Sequence, residues 1–270
     1  MSSLPRQLVK YAAATVDTVR RRPPGVVILI YHCVGGGRAT SVDLPVGLFE
    51  EQVAFLAEHA TVLDLDAALD VLAARSPLPS DAVVLTFDDG TADLVDHALP
   101  VLERYRLPAT LYVATGFVGA SRSIWGDPGA LSWEGLREMV STGLITLGSH
   151  THSHVLLDRL PSGEIADELD RSVELIGERV GVEVHHFAYP KALAPSPEAD
   201  AEVRRRFRSA ALAGTRANVP GRADLHRLAR SPVQVADGMR WFERKVRGGM
   251  GFEDALRGVL NRRRYAGATT

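Results

Sequence analysis

The chain has 270 residues, of which 46% are hydrophobic and 24% charged, with a formal net charge of −2. That is an ordinary globular composition, with room for one large α/β barrel or two small domains, and its charge balance gives no reason to expect a nucleic-acid partner. The single cysteine, Cys33, excludes an intrachain disulfide, and no stretch reaches the roughly 20 apolar residues that a membrane span needs.

Residues 4–20 place Leu4, Leu8, Tyr11, Thr15 and Val19 on one helical face, with Arg6, Lys10, Asp17 and Arg20 on the others. The spacing predicts a helix that docks on the domain or touches a membrane surface. Arg20-Arg21-Arg22 precede an apolar stretch at 26–30 that is short for a signal peptide, and no small-residue cleavage site follows. The expected location is therefore cytoplasmic, or peripheral at the inner face of a membrane.

From there, strand-like and helix-like segments alternate. Residues 26–31 read as a buried strand, and 48–59 as a helix with Phe49, Val53, Leu56 and Ala57 on one face. Next come a strand at 61–65, a helix at 66–74, a strand at 81–87 and a helix at 92–105 that ends before Pro108. A strand at 109–114 precedes a helix at 133–142, for which Ser132 is the N-cap candidate. Residues 145–147 lead into a histidine-rich segment, and 162–180 form the longest helix, closed by Gly181. A strand at 184–188, a helix at 198–207, strands at 210–213 and 231–235 and a helix at 238–247 complete the series. Repeated β-then-α order predicts a parallel sheet, closed or nearly so. The division is a leading helix in 1–24, one domain over 25–260 and a tail at 261–270. Loops 36–47 and 118–130 are expected near the mouth of the site.

Two short segments carry the chemistry: Thr86-Phe87-Asp88-Asp89-Gly90 and Ser149-His150-Thr151-His152-Ser153-His154. The apolar run 82–85 leads into the first, so its carboxylates stand at the C-terminal end of a buried strand, where α/β barrels gather their reactive groups. One ionised aspartate and two neutral imidazoles make a facial set of metal ligands with positions left open for water and substrate. A second carboxylate held beside the ion can take a proton from water. Either segment alone has a plain reading, as a helix-capping turn or as an incidental His-x-x-x-His. Together, each after a strand-like run, they point to a catalytic metal site.

The segments resemble the first two motifs of the polysaccharide deacetylase family, carbohydrate esterase family 4, which are Thr-Phe-Asp-Asp-Gly and His-Thr-x-x-His. The resemblance runs from about residue 25 to about residue 245. It implies a distorted (β/α) barrel of about seven parallel strands and hydrolysis of an N-acetyl group from an N-acetylated glycan. It also implies one divalent metal ion; zinc is expected first, and nickel, cobalt or iron suit the same ligands. Carried over, it makes Asp88 the general base, makes Asp89, His150 and His154 the metal ligands, and leaves His152 a bystander.

Three further segments extend it. Tyr31-His32 resembles a Tyr-His pair that supplies the catalytic acid in a branch that includes poly-N-acetylglucosamine deacetylases. Other members carry the acid on a C-terminal Leu-x-His, which is missing here, since no histidine follows His226. The resemblance thus implies that His32 protonates the leaving amine. Phe187-Ala188-Tyr189-Pro190 resembles the third motif of that branch but continues with Lys191-Ala192 in place of Tyr-Gly. It implies substrate contacts from Tyr189 and Pro190 and an oxyanion-stabilising amide near Tyr189. The usual third-motif arginine is absent. Arg230, in Leu228-Ala229-Arg230-Ser231-Pro232-Val233, resembles a Leu-x-Arg pattern before the final strand and takes the task of orienting Asp88. Trp125 and Trp133 are candidates for stacking on a sugar ring. Two rival readings are a related amidase acting on a cyclic imide or ureide, and a carbohydrate-binding protein that has lost catalysis. The intact Asp88, Asp89, His150 and His154 argue against the second.

Overall fold

The computed structural model describes residues 23–120, 124–125 and 129–251. The helix expected at 4–20, with its membrane contact, and the tail at 261–270 lie outside the described residues. Among the described residues no helix is long and apolar enough to cross a membrane.

Strand β1 (Val27–Tyr31) is followed by two short strands, β2 (Cys33–Val34) and β3 (Asp43–Leu44), and by helix α1 (Val46–His59). Next come β4 (Thr61–Val62), α2 (Leu65–Leu72), β5 (Ala82–Phe87), α3 (Leu99–Tyr105) and β6 (Ala109–Val113). Then follow α4 (Trp133–Ser141), β7 (Ile145–Ser149), α5 (Ser162–Val180), β8 (His186–Ala188) and α6 (Pro197–Arg206). The series ends with β9 (Ser209–Ala213), β10 (Leu228–Pro232) and α7 (Gly238–Val246). Among the described residues, seven parallel strands close a ring in the order β1-β10-β9-β8-β7-β6-β5 and back to β1. Strand β4 is a short addition to β5. This is the expected distorted (β/α) barrel.

Strand alternation decides what reaches its interior. Leu29 and Tyr31, Leu85 and Phe87, and Leu111 and Val113 pack outward into the main core with α1, α3 and α5. Ile28, Val84, Tyr112 and Ala188 belong to a second cluster on the other face. The inward set therefore continues to Thr86 within β5 and Asp88 just after it, and to His32 after β1. The register pairs Tyr31 with Phe87 and Val113 with Ser149, which brings the strand ends to one level.

Most elements fall where the sequence places them. Ser132 caps α4 by accepting from Gly135 N at 3.0 Å, and Gly181 closes α5 at φ 83°. Two elements differ. The helix expected at 92–105 begins with a π-helical turn at Leu94–Ala98, where Leu99 N–H donates to Leu94 O, and Pro100 then has no N–H to offer. The last strand, expected at 231–235, is β10 at Leu228–Pro232, so Arg230 lies within it, paired with Ile28 and Ala213. A charged side chain argues against a buried strand in sequence terms, and here it is buried because a carboxylate meets it.

Candidate active site

Asp88 leaves the end of β5 with its N–H donated to Tyr31 O at 3.0 Å. Across the barrel, Arg230 reaches it from β10 in a two-pronged ion pair, Nη1 to Oδ1 at 2.7 Å and Nη2 to Oδ2 at 2.9 Å. The arginine is wholly buried. Its Nη1 also donates to Thr86 Oγ1 at 3.1 Å, while the Thr86 hydroxyl donates to Leu29 O at 2.7 Å. The guanidinium lies 4.9 Å from the centre of the Tyr112 ring. Burial alone pushes the Asp88 carboxyl up; the Arg230 charge, aided by His150, more than offsets this and holds it below its ordinary value. The pair thus fixes an ionised carboxylate in one orientation.

Asp89 would point outward by strand alternation, but its backbone turns left-handed (φ 74°), as does Gly90 (φ 78°). The turn brings Asp89 Oδ1 to 3.4 Å from His150 Nε2 and 3.3 Å from His154 Nε2. One ligand atom from each of the three residues lies within 4.8 Å of the others. Asp89 Oδ2 accepts the indole N–H of Trp125 at 2.5 Å. His150 Nδ1 sits 2.7 Å from Ala188 O, a partner that can only accept, so Nδ1 carries the proton. In the neutral ring, Nε2 then presents a lone pair to a carboxylate oxygen. A cation between them resolves that opposition, and two imidazoles with one carboxylate are the donor chemistry of an open zinc-type site. Burial pushes the Asp89 carboxyl up, but His150 and His154 beside it hold it well below its usual range. Burial pulls both histidines down; Asp89 and Asp88 outweigh it at His150, which ends raised, whereas His154 ends lowered.

His32 follows β1 onto the same floor. It is half-buried, sits edge-on to Trp125 with ring centres 5.6 Å apart, and has no partner for Nδ1 among the described residues. The structure therefore gathers Asp88, Asp89, His150, His154, Arg230 and His32 at one end of the barrel. His152 stands apart from the three ligand candidates, with Nδ1 3.0 Å from Thr115 Oγ1.

Tyr189 lies mostly outside the barrel interior. Phe187 and Tyr189 share the outward face, so the Tyr189 ring packs against Phe187 in the core, with centres 5.0 Å apart, and is 3% exposed. Its amide donates to Ala211 O at 3.1 Å and is spent on the sheet. The Tyr189 ring is thus committed to the core and its own amide to the sheet. Pro190 is buried and opens a tight turn in which Lys191 and Ala192 both have positive φ (57° and 53°). Trp133 packs partly on the core, and Trp125, a candidate for stacking on a sugar, donates its indole N–H to Asp89. Sequence reasoning missed Thr86 and Tyr112. The two-residue alternation that aims Asp88 inward was the signal for Thr86; Tyr112 carried none.

Residues 75–210 match the family model described as polysaccharide deacetylase. The poly-β-1,6-N-acetyl-D-glucosamine N-deacetylase of Staphylococcus epidermidis is 31% identical over 146 residues, which is 53% of this chain and 48% of that protein. The Staphylococcus aureus enzyme of the same name is 29% identical over 154 residues, 54% of this chain and 52% of that one. The chain thus spans about half the length of the curated relatives it matches. Among solved structures, IcaB from Ammonifex degensii superposes with a TM-score of 0.72 at 28% identity, covering 82% of this chain and 98% of that one. The Streptococcus pyogenes deacetylase PplD reaches 0.71 at 20% identity, covering 83% and 99%, a likeness of fold.

Proposed function

The chain belongs to the polysaccharide deacetylase family, and on that premise we propose that it is a metal-dependent hydrolase that removes N-acetyl groups from an N-acetylhexosamine in a polysaccharide or glycoconjugate. The observation that carries this is the juxtaposition of two carboxylates with different partners: Asp89 facing two histidines, and Asp88 locked to a buried arginine. Asp89, His150 and His154 would hold the ion. A divalent cation there supplies Lewis acidity toward the acetamide carbonyl and toward water. Asp88, held ionised by Arg230, accepts a proton from the attacking water. His32, on the same floor and with a ring nitrogen uncommitted, donates a proton to the departing amine. The products are the free amino sugar and acetate.

Poly-β-1,6-N-acetylglucosamine is the first glycan to test, because relatives carry it in their names. The assay is acetate release from that polymer and from chito-oligomers, before and after chelation. Release that stops with chelator and returns with zinc, nickel, cobalt or iron is the expected result. Release that ignores the chelator, or none from any N-acetylated glycan, rejects the proposal.

A further inference from the structure

The loop that carries both histidines is short and bent. Thr151 and His154 adopt left-handed backbone, at φ 65° and 58°, although neither is glycine. Such a turn persists only where its surroundings hold it. Helix α5 supplies the grip. The Glu168 carboxylate accepts from two successive backbone amides, His152 N at 3.0 Å and Ser153 N at 2.9 Å, both on Oε2. Its Oε1 accepts the Ser153 hydroxyl. One helical turn on, Ser172 Oγ meets Ser149 Oγ at 2.8 Å, with both residues wholly buried, and Ser149 Oγ also accepts from Thr151 N at 3.3 Å. From the opposite side, Gly116 N donates to His152 O at 2.7 Å, and a β-carbon at Gly116 would lie 2.8 Å from that oxygen.

We propose that Glu168 is the positioning residue of the metal site: its carboxylate fixes the turn between His150 and His154, so that both Nε2 atoms face Asp89. The proposal rests on the reading that these histidines hold a metal. Glu168 bonds the residues between the two histidines, His152 and Ser153, and so acts through the backbone. Hydrogen bonds from amides to an ionised carboxylate are the strong kind. Groups that orient ligands without touching the ion commonly govern about 10–100-fold of metal affinity. A purely structural role would lower thermal stability and leave affinity alone.

The test is a chelator-competition titration of the metal-free chain with zinc, alongside its melting temperature. Glu168→Ala is expected to bind zinc about 10–100-fold more weakly than wild type. Glu168→Gln is expected to lose less, because its carboxamide oxygen still accepts from the two amides and its NH₂ can donate to Ser153 Oγ. Wild-type zinc affinity in Glu168→Ala, whatever its melting temperature, overturns the proposal. If Glu168→Ala does not fold, Glu168→Asp, one methylene too short to span the same gap, is read against the same two outcomes. Zinc binding is measured without substrate. Weakened zinc binding in a chain that deacetylates no glycan would therefore sustain this inference while removing the proposed function.

Discussion

Asp88 and Asp89 are neighbours in the chain, yet the structure holds them by opposite means. Asp88 belongs to a pocket built from strand interiors: Arg230 from β10, Thr86 from β5 and Tyr112 from β6. Asp89 belongs to a pocket built from turns, its own left-handed one and the bent loop at 149–154. In the first pocket a side chain's direction follows from the sheet, so one buried ion pair suffices to fix it. In the second only His150 continues the inward face of its strand, β7; Asp89 and His154 sit on left-handed backbone, and their aim has to come from the hydrogen bonds that hold those turns. On the proposed roles, proton transfer thus rests on the rigid part of the molecule and metal retention on the part that must be tied down.

Separating the two functions breaks or upholds that contrast most directly. Asp88→Asn is expected to keep the metal and lose ~10²–10⁴-fold in turnover, the usual worth of a general base. His150→Ala is expected to lose metal and turnover together, with a larger drop in affinity than any supporting residue causes. Metal content by elemental analysis beside acetate release decides, and the reverse pattern would interchange the two pockets.

Arg230→Met comes next. It leaves a buried carboxylate without its cation, a loss of about 3–5 kcal/mol when one partner of a buried pair is removed. Asp88 is a depressed carboxyl, so the stability it contributes is present above its unfolded pKa and fades as pH falls through its folded one. With Arg230 gone, burial is opposed only by the weaker pull of His150 and His32, and the carboxyl moves up. The acid limb of turnover and the onset of acid unfolding should both move to higher pH. A pH–rate profile that stays in place would mean that Arg230 does not set the charge of Asp88.

A fourth variant, His32→Ala, sharpens the proton inventory. An acetamide needs a proton on its leaving nitrogen, whereas an acetate ester with a good leaving group needs none. The loss should be large on the amide, much smaller on the ester, and without change in metal content. Equal losses on both substrates would give His32 a binding or supporting role.

Gly148→Ala is the mildest. A β-carbon there would lie 2.5 Å from the Tyr112 ring, so Tyr112 must shift beneath the guanidinium. Overpacking of this kind costs about 1–3 kcal/mol, read as a lower melting temperature with metal affinity intact. An unchanged melting temperature would show that Tyr112 yields freely.

The same contrast explains what was legible in the sequence. Periodic features were: helix α5 spans the expected 162–180, and the alternation along 82–88 already aims Thr86 and Asp88 at one face. That alternation also turns Tyr189 outward with Phe187, a consequence that matching the motif alone overlooks. The last strand was misplaced because an arginine breaks the apolar run by which a buried strand is read, and naming Asp88, 142 residues away, as its partner did not place Arg230 inside a strand. Glu168 looked like any charge on an amphipathic helix, because what it binds is backbone, and backbone partners leave no mark in a sequence.

The closure of the ring by β1 has a consequence for biogenesis. The candidate ligands all lie within residues 89–154, on strands that pair in chain order, β5 with β6 and β6 with β7. The arginine that arms Asp88 arrives only with β10, which seals the barrel against β1. Contacts so distant in sequence carry the larger loop-closure cost and are expected to form late. A nascent or truncated chain that ends before β10 would own every ligand and still lack an oriented base. On the proposed roles, competence for hydrolysis is therefore deferred until β10 has been made, so a chain that stops before it carries the candidate ligands without the means to cleave.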